Sequence, residues 1–261
     1  MRTHSPSASS RGSSSGGRHE LGQNFLVHPP TIARIVALVA ATEGGILEVG
    51  AGDGALTSEL AVLRRPLTAI DIDERRVDGL RARVARVRLE RADVLSYPIT
   101  QPVVVGNVPF HLTTPILRRL LREKEWREAV LLTQWEVARK RAGVGGSTMM
   151  TAQSAPWFEF RLHGRVPARG FRPMPSVDGG VLSISRRADP LVAVRDRRGY
   201  ERFVRDVFTG RGRDVRQILR GMASGSDAAR RVDAVPVERG SLPRDLDVAQ
   251  WAALWEAFRG G

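Results

Sequence analysis

Ile46-Leu47-Glu48-Val49-Gly50-Ala51-Gly52-Asp53-Gly54 decides the fold. Four residues of a buried strand run into a turn with three glycines. Ala55 to Arg65 then places Leu56, Leu60 and Leu63 on one face of a helix. Strand, glycine turn and helix make the nucleotide-binding βα unit. Gly50 and Gly52 let the backbone approach a ligand where a Cβ would collide. The spacing is G-x-G-x-G rather than the dinucleotide G-x-G-x-x-G, and no G-K-[ST] follows to cradle a phosphate. The acids Glu48 and Asp53 favour a cationic or polar ligand instead.

Working outward, apolar runs repeat with the period of a parallel α/β sheet. Leu67-Thr68-Ala69-Ile70-Asp71 is a second strand that ends in a carboxylate, placed to accept both hydroxyls of a ribose. Asp73 caps a helix over Glu74 to Val87. Val87 to Asp93 is a third strand, and Asp93 just past it is placed to accept from an adenine amino group. A turn-forming role is open to the same Asp93.

Val103-Val104-Val105-Gly106 is a fourth strand, and it leads into Asn107-Val108-Pro109-Phe110. The carboxyl ends of strands are where open α/β sheets bind ligands. Asn107 brings an amide acceptor, Pro109 stiffens the backbone so that neighbouring carbonyls point outward, and Phe110 offers a flat face. The set suits the exocyclic amino group of an aromatic base. Further strands are expected at Ala129–Thr133, Phe158–Val166 and Gly180–Ser185. Gln23-Asn24-Phe25-Leu26 lies before a helix opened by Pro29-Pro30, and its two amides read as loop hydrogen-bonders. Phe171-Arg172-Pro173-Met174-Pro175-Ser176-Val177 reads as a proline-stiffened loop with one aromatic. Tyr200–Phe208, Gly212–Met222 and Val248–Phe258 are amphipathic helices, with Arg211, Arg213, Arg216 and Arg220 clustered among them.

Composition narrows the function. The 261 residues contain no cysteine, which removes disulfides, thiolate metal sites and cysteine nucleophiles. The five histidines show no metal-ligand spacing, and no metal is expected. No apolar run of roughly 18 residues exists, nor a leader-like apolar core, so a soluble cytoplasmic protein is expected. A net charge of +13, nearly all arginine, favours a polyanionic partner such as nucleic acid.

The ordered set of motifs resembles the Erm methyltransferases, which modify N6 of one adenine in 23S rRNA, and more widely the ribosomal RNA dimethyladenosine transferases. The resemblance covers roughly residues 19 to 190. It is carried by Gln23 to Leu26, Glu48 to Gly54, Asp71, Asp93, Asn107 to Phe110 and Phe171 to Val177. Gln134-Trp135-Glu136-Val137-Ala138-Arg139-Lys140-Arg141 looks like the actinobacterial Erm proteins in particular. This resemblance implies a Rossmann-like, seven-stranded α/β methyltransferase fold that uses S-adenosylmethionine, with a small all-α C-terminal domain. The expected division is a disordered tail over 1–18, the methyltransferase domain over 19–186 and a helical RNA-binding domain over 187–261.

By residue, the resemblance implies that Asn24 and Leu26 close over the cofactor and Gly50 lines its methionine end. It assigns Asp71 to the ribose, Asp93 to the adenine amino group, and Asn107 to the boundary between cofactor and target. Gly52 belongs with the cofactor residues. Asn107, Pro109, Phe110 and Phe171 form the expected catalytic group, with the two phenylalanines stacking on the target base. The family often has Glu in place of Asp71 and Tyr in place of Phe110; the latter exchange keeps stacking and loses a hydroxyl. The implied partner is 23S rRNA, with macrolide, lincosamide and streptogramin B resistance as the outcome, by a monomer needing no obligate protein partner. Two alternatives share these residues: a housekeeping 16S rRNA dimethylating enzyme, and a catalytically silent RNA-binding protein on the same fold.

Overall fold

A computed structural model describes residues 23–222, 230, 232, 235 and 237–259 of the chain. The tail expected over 1–18 lies outside the described residues.

The seven expected strands form, together with two short ones. In chain order they are β1 (Phe25–Leu26), β2 (Ile46–Val49), β3 (Leu67–Asp71), β4 (Arg88–Arg91), β5 (Val103–Asn107), β6 (Glu128–Gln134), β7 (Phe158–Val166), β8 (Phe171–Arg172) and β9 (Gly179–Arg186). Seven of them build one sheet in the order β4-β3-β2-β5-β6-β9-β7. The pairs from β4 to β6 are parallel; β9 lies antiparallel to both β6 and β7. Every residue of β2 and β3 is buried, as expected for strands covered by helices on both faces. The strand order reverses between β2 and β5, and a crevice opens there at the carboxyl edge.

The covering helices are α1 (Pro29–Ala40), α2 (Ala55–Ala61), α3 (Glu74–Arg81), α4 (Thr113–Leu120), α5 (Trp135–Arg141) and α6 (Met149–Ser154). Asp73 caps α3 by accepting from the Arg75 amide at 3.0 Å. That helix is shorter than its periodicity predicts: past Arg81 the chain turns, and Arg86 adopts a left-handed φ of 65°. Helix α2 likewise stops at Ala61, short of Arg65. Helix α6 has no counterpart in the sequence reading, although its cap is local: the Thr148 hydroxyl accepts from the Thr151 amide at 3.3 Å.

Two segments expected to be loops pair with each other. Phe25 lies opposite Arg172 and Leu26 opposite Phe171, and the Val27 amide donates to the Gly170 carbonyl at 2.8 Å. This ribbon pins the segment from Gln23 to Leu26 over the crevice. Short range alone cannot predict it, because the partners are about 145 residues apart in the chain.

Helices α7 (Arg197–Thr209), α8 (Val215–Met222) and α9 (Val248–Phe258) form the C-terminal part. Their core is aromatic: Phe203 contacts Trp251, Trp255 and Phe258, while Tyr200 meets Trp157 edge-on at 5.4 Å. The Tyr200 hydroxyl donates to the Ala152 carbonyl of α6 at 2.9 Å. Tyr200 and Val204 belong to the same buried cluster as Trp126 and Leu131 of the sheet layer. The boundary expected at residue 186 therefore crosses a continuous apolar core rather than a linker. Among the described residues no helix is long and apolar enough to cross a membrane.

Candidate active site

The crevice has two joined compartments. The first runs between Asn24, Phe25 and Leu26 of the ribbon, the turn from Gly50 to Asp53, and Asn107 to Phe110. The second continues past Asp71 between Ile72, Asp93, Val94 and Leu112 and is mainly apolar. Gln23, Gly50, Asp71, Val108 and Pro109 belong to both walls. The shape suits an elongated ligand with a polar end, a sugar-like middle and a flat apolar end.

The turn after β2 is built for close approach. Gly50 and Gly52 have φ of 74° and 53°, which L side chains rarely adopt. A Cβ on Gly52 would also sit 3.1 Å from the Phe25 ring. The Arg76 guanidinium covers Phe25 at 4.1 Å from the ring centroid and is ion-paired to Asp53. Phe25 and Arg76 thus hold the ribbon against the glycine turn. Neither was singled out from the sequence, where an arginine-rich helix reads as a solvated face.

Asp71 ends β3 and is buried. Its Oδ2 accepts from the Gly52 amide at 2.8 Å and its Oδ1 from the Asp73 amide at 2.9 Å. The carboxylate is therefore fixed before any ligand arrives, with further lone pairs left for hydroxyl donors. Asp93 stands exposed at the rim of the apolar compartment, and its Oδ1 accepts from the Leu95 amide at 2.8 Å. It is both turn former and wall residue.

Glu48 lines the first compartment although its side chain is fully buried. The buried Thr57 hydroxyl lies beside it, yet neither group closes a well-aligned hydrogen bond among the described residues. Burial pushes its pKa up from 4.5 to about 8, only partly offset by Thr57, and the Asp71 charge adds to the rise. Folded protein then holds a proton that unfolded protein has already released between pH 4.5 and 8. Stability falls with rising pH through that window and levels off above it. Glu48→Gln is expected to flatten this decline in the ligand-free protein. Melting temperatures taken from pH 5 to 9 check it; parallel curves for the two proteins would refute it.

At the end of β5, the Asn107 Nδ2 donates to the Asn24 carbonyl at 2.7 Å. That bond commits the amide's donor end to the ribbon and leaves Oδ1 as an acceptor for the crevice. The Val108 amide donates to the Leu132 carbonyl at 3.0 Å, securing the loop to β6.

Pro109 and Phe171 are each held by the structure around them. The Pro109 carbonyl does not point outward: it accepts from the Leu112 amide at 2.9 Å and from the Thr113 hydroxyl at 3.5 Å, closing the turn before α4. Pro109 thus shapes the loop. Phe171 is wholly buried in the ligand-free chain. It meets Phe110 edge-on at 6.0 Å between centroids and supports that ring from beneath. Phe110 itself lines the crevice.

A mostly parallel sheet with a ligand crevice at its switch point, a fixed acid at the next strand end and an anchored amide beside an aromatic ring is the architecture of a Rossmann-like methyltransferase. Comparison with known proteins narrows the class. Residues 15–258 match the family model described as ribosomal RNA adenine dimethylase, and the chain belongs to that family. It is 48% identical over 248 residues to the mycinamicin-resistance protein MyrB of Micromonospora griseorubida, covering 94% of this chain and 80% of that one. An rRNA adenine N-6-methyltransferase of Corynebacterium diphtheriae is 50% identical over 208 residues, covering 78% and 82%. The crystal structure of the 23S rRNA methyltransferase ErmE matches with a TM-score of 0.81 at 32% identity, covering 90% of this chain and all of that one.

Proposed function

We propose that this methyltransferase transfers a methyl group from S-adenosylmethionine to N6 of an adenine in 23S rRNA, and so confers macrolide, lincosamide and streptogramin B resistance in the cytoplasm. The anchored Asn107 amide carries this reading. An adenine amino nitrogen is a poor nucleophile because its lone pair is delocalised into the ring. Accepting hydrogen bonds from it at Asn107 Oδ1 and the Val108 carbonyl favours a localised lone pair aimed at the cofactor compartment. Phe110 would hold the ring by stacking after the base leaves its helix. The resistance outcome and the 23S target are favoured by the names of the similar proteins.

The crevice fits the cofactor by its chemistry. Asp71, fixed by two amides, would take the ribose hydroxyls, and Asp93 at the apolar rim would take the adenine amino group. Gly50 and Gly52 would admit the methionine end near Glu48, with Asn24 and Leu26 closing over it. When bound, S-adenosylmethionine supplies an electrophilic methyl on a sulfonium leaving group. The buried Glu48 carboxyl suits its cationic end. Cofactor affinity is therefore expected to rise with pH towards about 8 with release of a proton, because ionised Glu48 is the form a cation favours. Calorimetry in buffers of different ionisation enthalpy reads that proton, and it should vanish in Glu48→Gln.

The deciding test supplies labelled S-adenosylmethionine with naked 23S rRNA, with 16S rRNA inside 30S particles, and with no RNA. Label at one adenine of 23S rRNA is the expected result. Label in 16S rRNA instead would make this a housekeeping enzyme. RNA binding without label in either would leave a silent RNA-binding protein.

A further inference from the structure

We propose that Arg119 of α4 is a positioning residue for the adenine end of the cofactor site: it holds the turn from Asp93 to Tyr97, and so fixes the Asp93 carboxylate that selects the cofactor's 6-amino group. The proposal rests on the cofactor reading above and deepens it.

The turn takes its shape from short-range bonds. The Asp93 carbonyl accepts from the Ser96 amide at 3.0 Å and the Tyr97 amide at 2.9 Å, and Asp93 Oδ1 accepts from the Leu95 amide at 2.8 Å. Bonds of this kind fold a turn but do not place it against the rest of the molecule, because both partners move together. Placement comes from three longer contacts. At the entry, the Ala92 amide donates to the Asp71 carbonyl at 2.9 Å, which ties the turn to the end of β3. At the exit, the Tyr97 hydroxyl donates to Glu90 of β4 at 2.9 Å. Between them, Arg119 Nη1 donates to the Val94 carbonyl and Nη2 to the Tyr97 carbonyl.

The guanidinium is itself restrained. Its Nε pairs with Glu123 at 3.3 Å, one turn further along the chain, and the side chain is mostly buried. A planar fork with one arm on each of two carbonyls fixes the turn's angle as well as its distance, which a single ammonium donor would not. Arg119 does this without lining the compartment. Ile116, three residues earlier on α4, does line it, together with Asp93, Val94 and Leu112. The arginine thus joins the acidic turn to the apolar wall that would cover the other side of an adenine ring.

The need for such a clamp lies in Asp93 itself. Its side chain is exposed, so no packing around the carboxylate sets its aim. The aim comes from the backbone beneath it, and an exposed group discriminates between ligands only where its support is rigid.

The test measures, by calorimetry on the full chain, binding of S-adenosylhomocysteine and of the same molecule lacking the 6-amino group. The parent should prefer the first by about tenfold, the effect of one hydrogen bond to a charged acceptor. Arg119→Met keeps an apolar stem and removes the fork; its preference should fall to about twofold or less as that bond is lost. Affinity for the analogue should change much less than affinity for S-adenosylhomocysteine. Arg119→Lys can reach one carbonyl and should restore part of the preference; it carries the same test should Arg119→Met not fold. Asp93→Ala combined with Arg119→Met should lose no more of the preference than Asp93→Ala alone, since the two residues act through one contact. An arginine that only stabilised the fold would weaken both ligands alike. Equal weakening in the folded variants would therefore overturn the proposal, and so would a preference as large as the parent's. A parent that does not distinguish the two ligands would defeat the reading of Asp93 and this proposal with it. A parent that does distinguish them, and still does without Arg119, would defeat the proposal alone.

Discussion

Asn107→Ala is expected to lower the turnover number for methyl transfer by about 10³-fold, with a much smaller change in cofactor affinity. The magnitude is that of losing one preorganised polar group at a reacting atom. The position explains why the loss falls on turnover. Asn107 Nδ2 is held at 2.7 Å by the Asn24 carbonyl, so Oδ1 meets the incoming amino group without reorganising. Asn107→Asp is expected to be almost as poor, since a carboxylate oxygen would face the Asn24 carbonyl, acceptor against acceptor. Single-turnover transfer with saturating RNA and cofactor separates chemistry from binding. A drop confined to KM, with turnover intact, would refute the role given to Asn107.

The second large effect is expected at Asp71→Ala: a cofactor dissociation constant raised about 100-fold, together with lower stability. Both follow from one carboxylate. Two hydrogen bonds to a charged group each contribute roughly 1.5–3 kcal/mol, so losing both ribose contacts is ample for the affinity change. The same substitution strips the Gly52 and Asp73 amides of their acceptor, and Gly52 is buried. An orphaned buried donor costs about 1–3 kcal/mol. Calorimetry reads the first effect and thermal melting without ligand the second. Asp71→Asn, which keeps one acceptor oxygen, should be intermediate in both. Unchanged melting in Asp71→Ala would mean that the carboxylate does not organise the turn.

Much of the fold was legible because its signals are local. Most strands of the main sheet announced themselves by an apolar run, and Asp71, Asp93 and Asn107 stand at or just past strand ends. Since parallel strands present their carboxyl ends together, reading the ends in order was enough to assemble most of one crevice. The exceptions are instructive. Leu26 and Phe171 carry no local signal of their pairing, because the ribbon joins segments from opposite parts of the chain. Helix α6 is too short for its periodicity to stand out.

What the sequence by itself determined is the identity and order of the groups at the strand ends. Period-two and period-3.6 patterns and glycine turns are properties of neighbouring residues. What only the tertiary structure decided is how those groups are solvated and aimed. The Asn24 carbonyl turned the Asn107 amide, packing set Phe171 edge-on against Phe110, and the turn before α4 drew in the Pro109 carbonyl. Burial raised Glu48 to about 8. Each depends on atoms brought from far along the chain, because a group's dielectric surroundings and hydrogen-bond partners are set by packing and not by its neighbours in sequence.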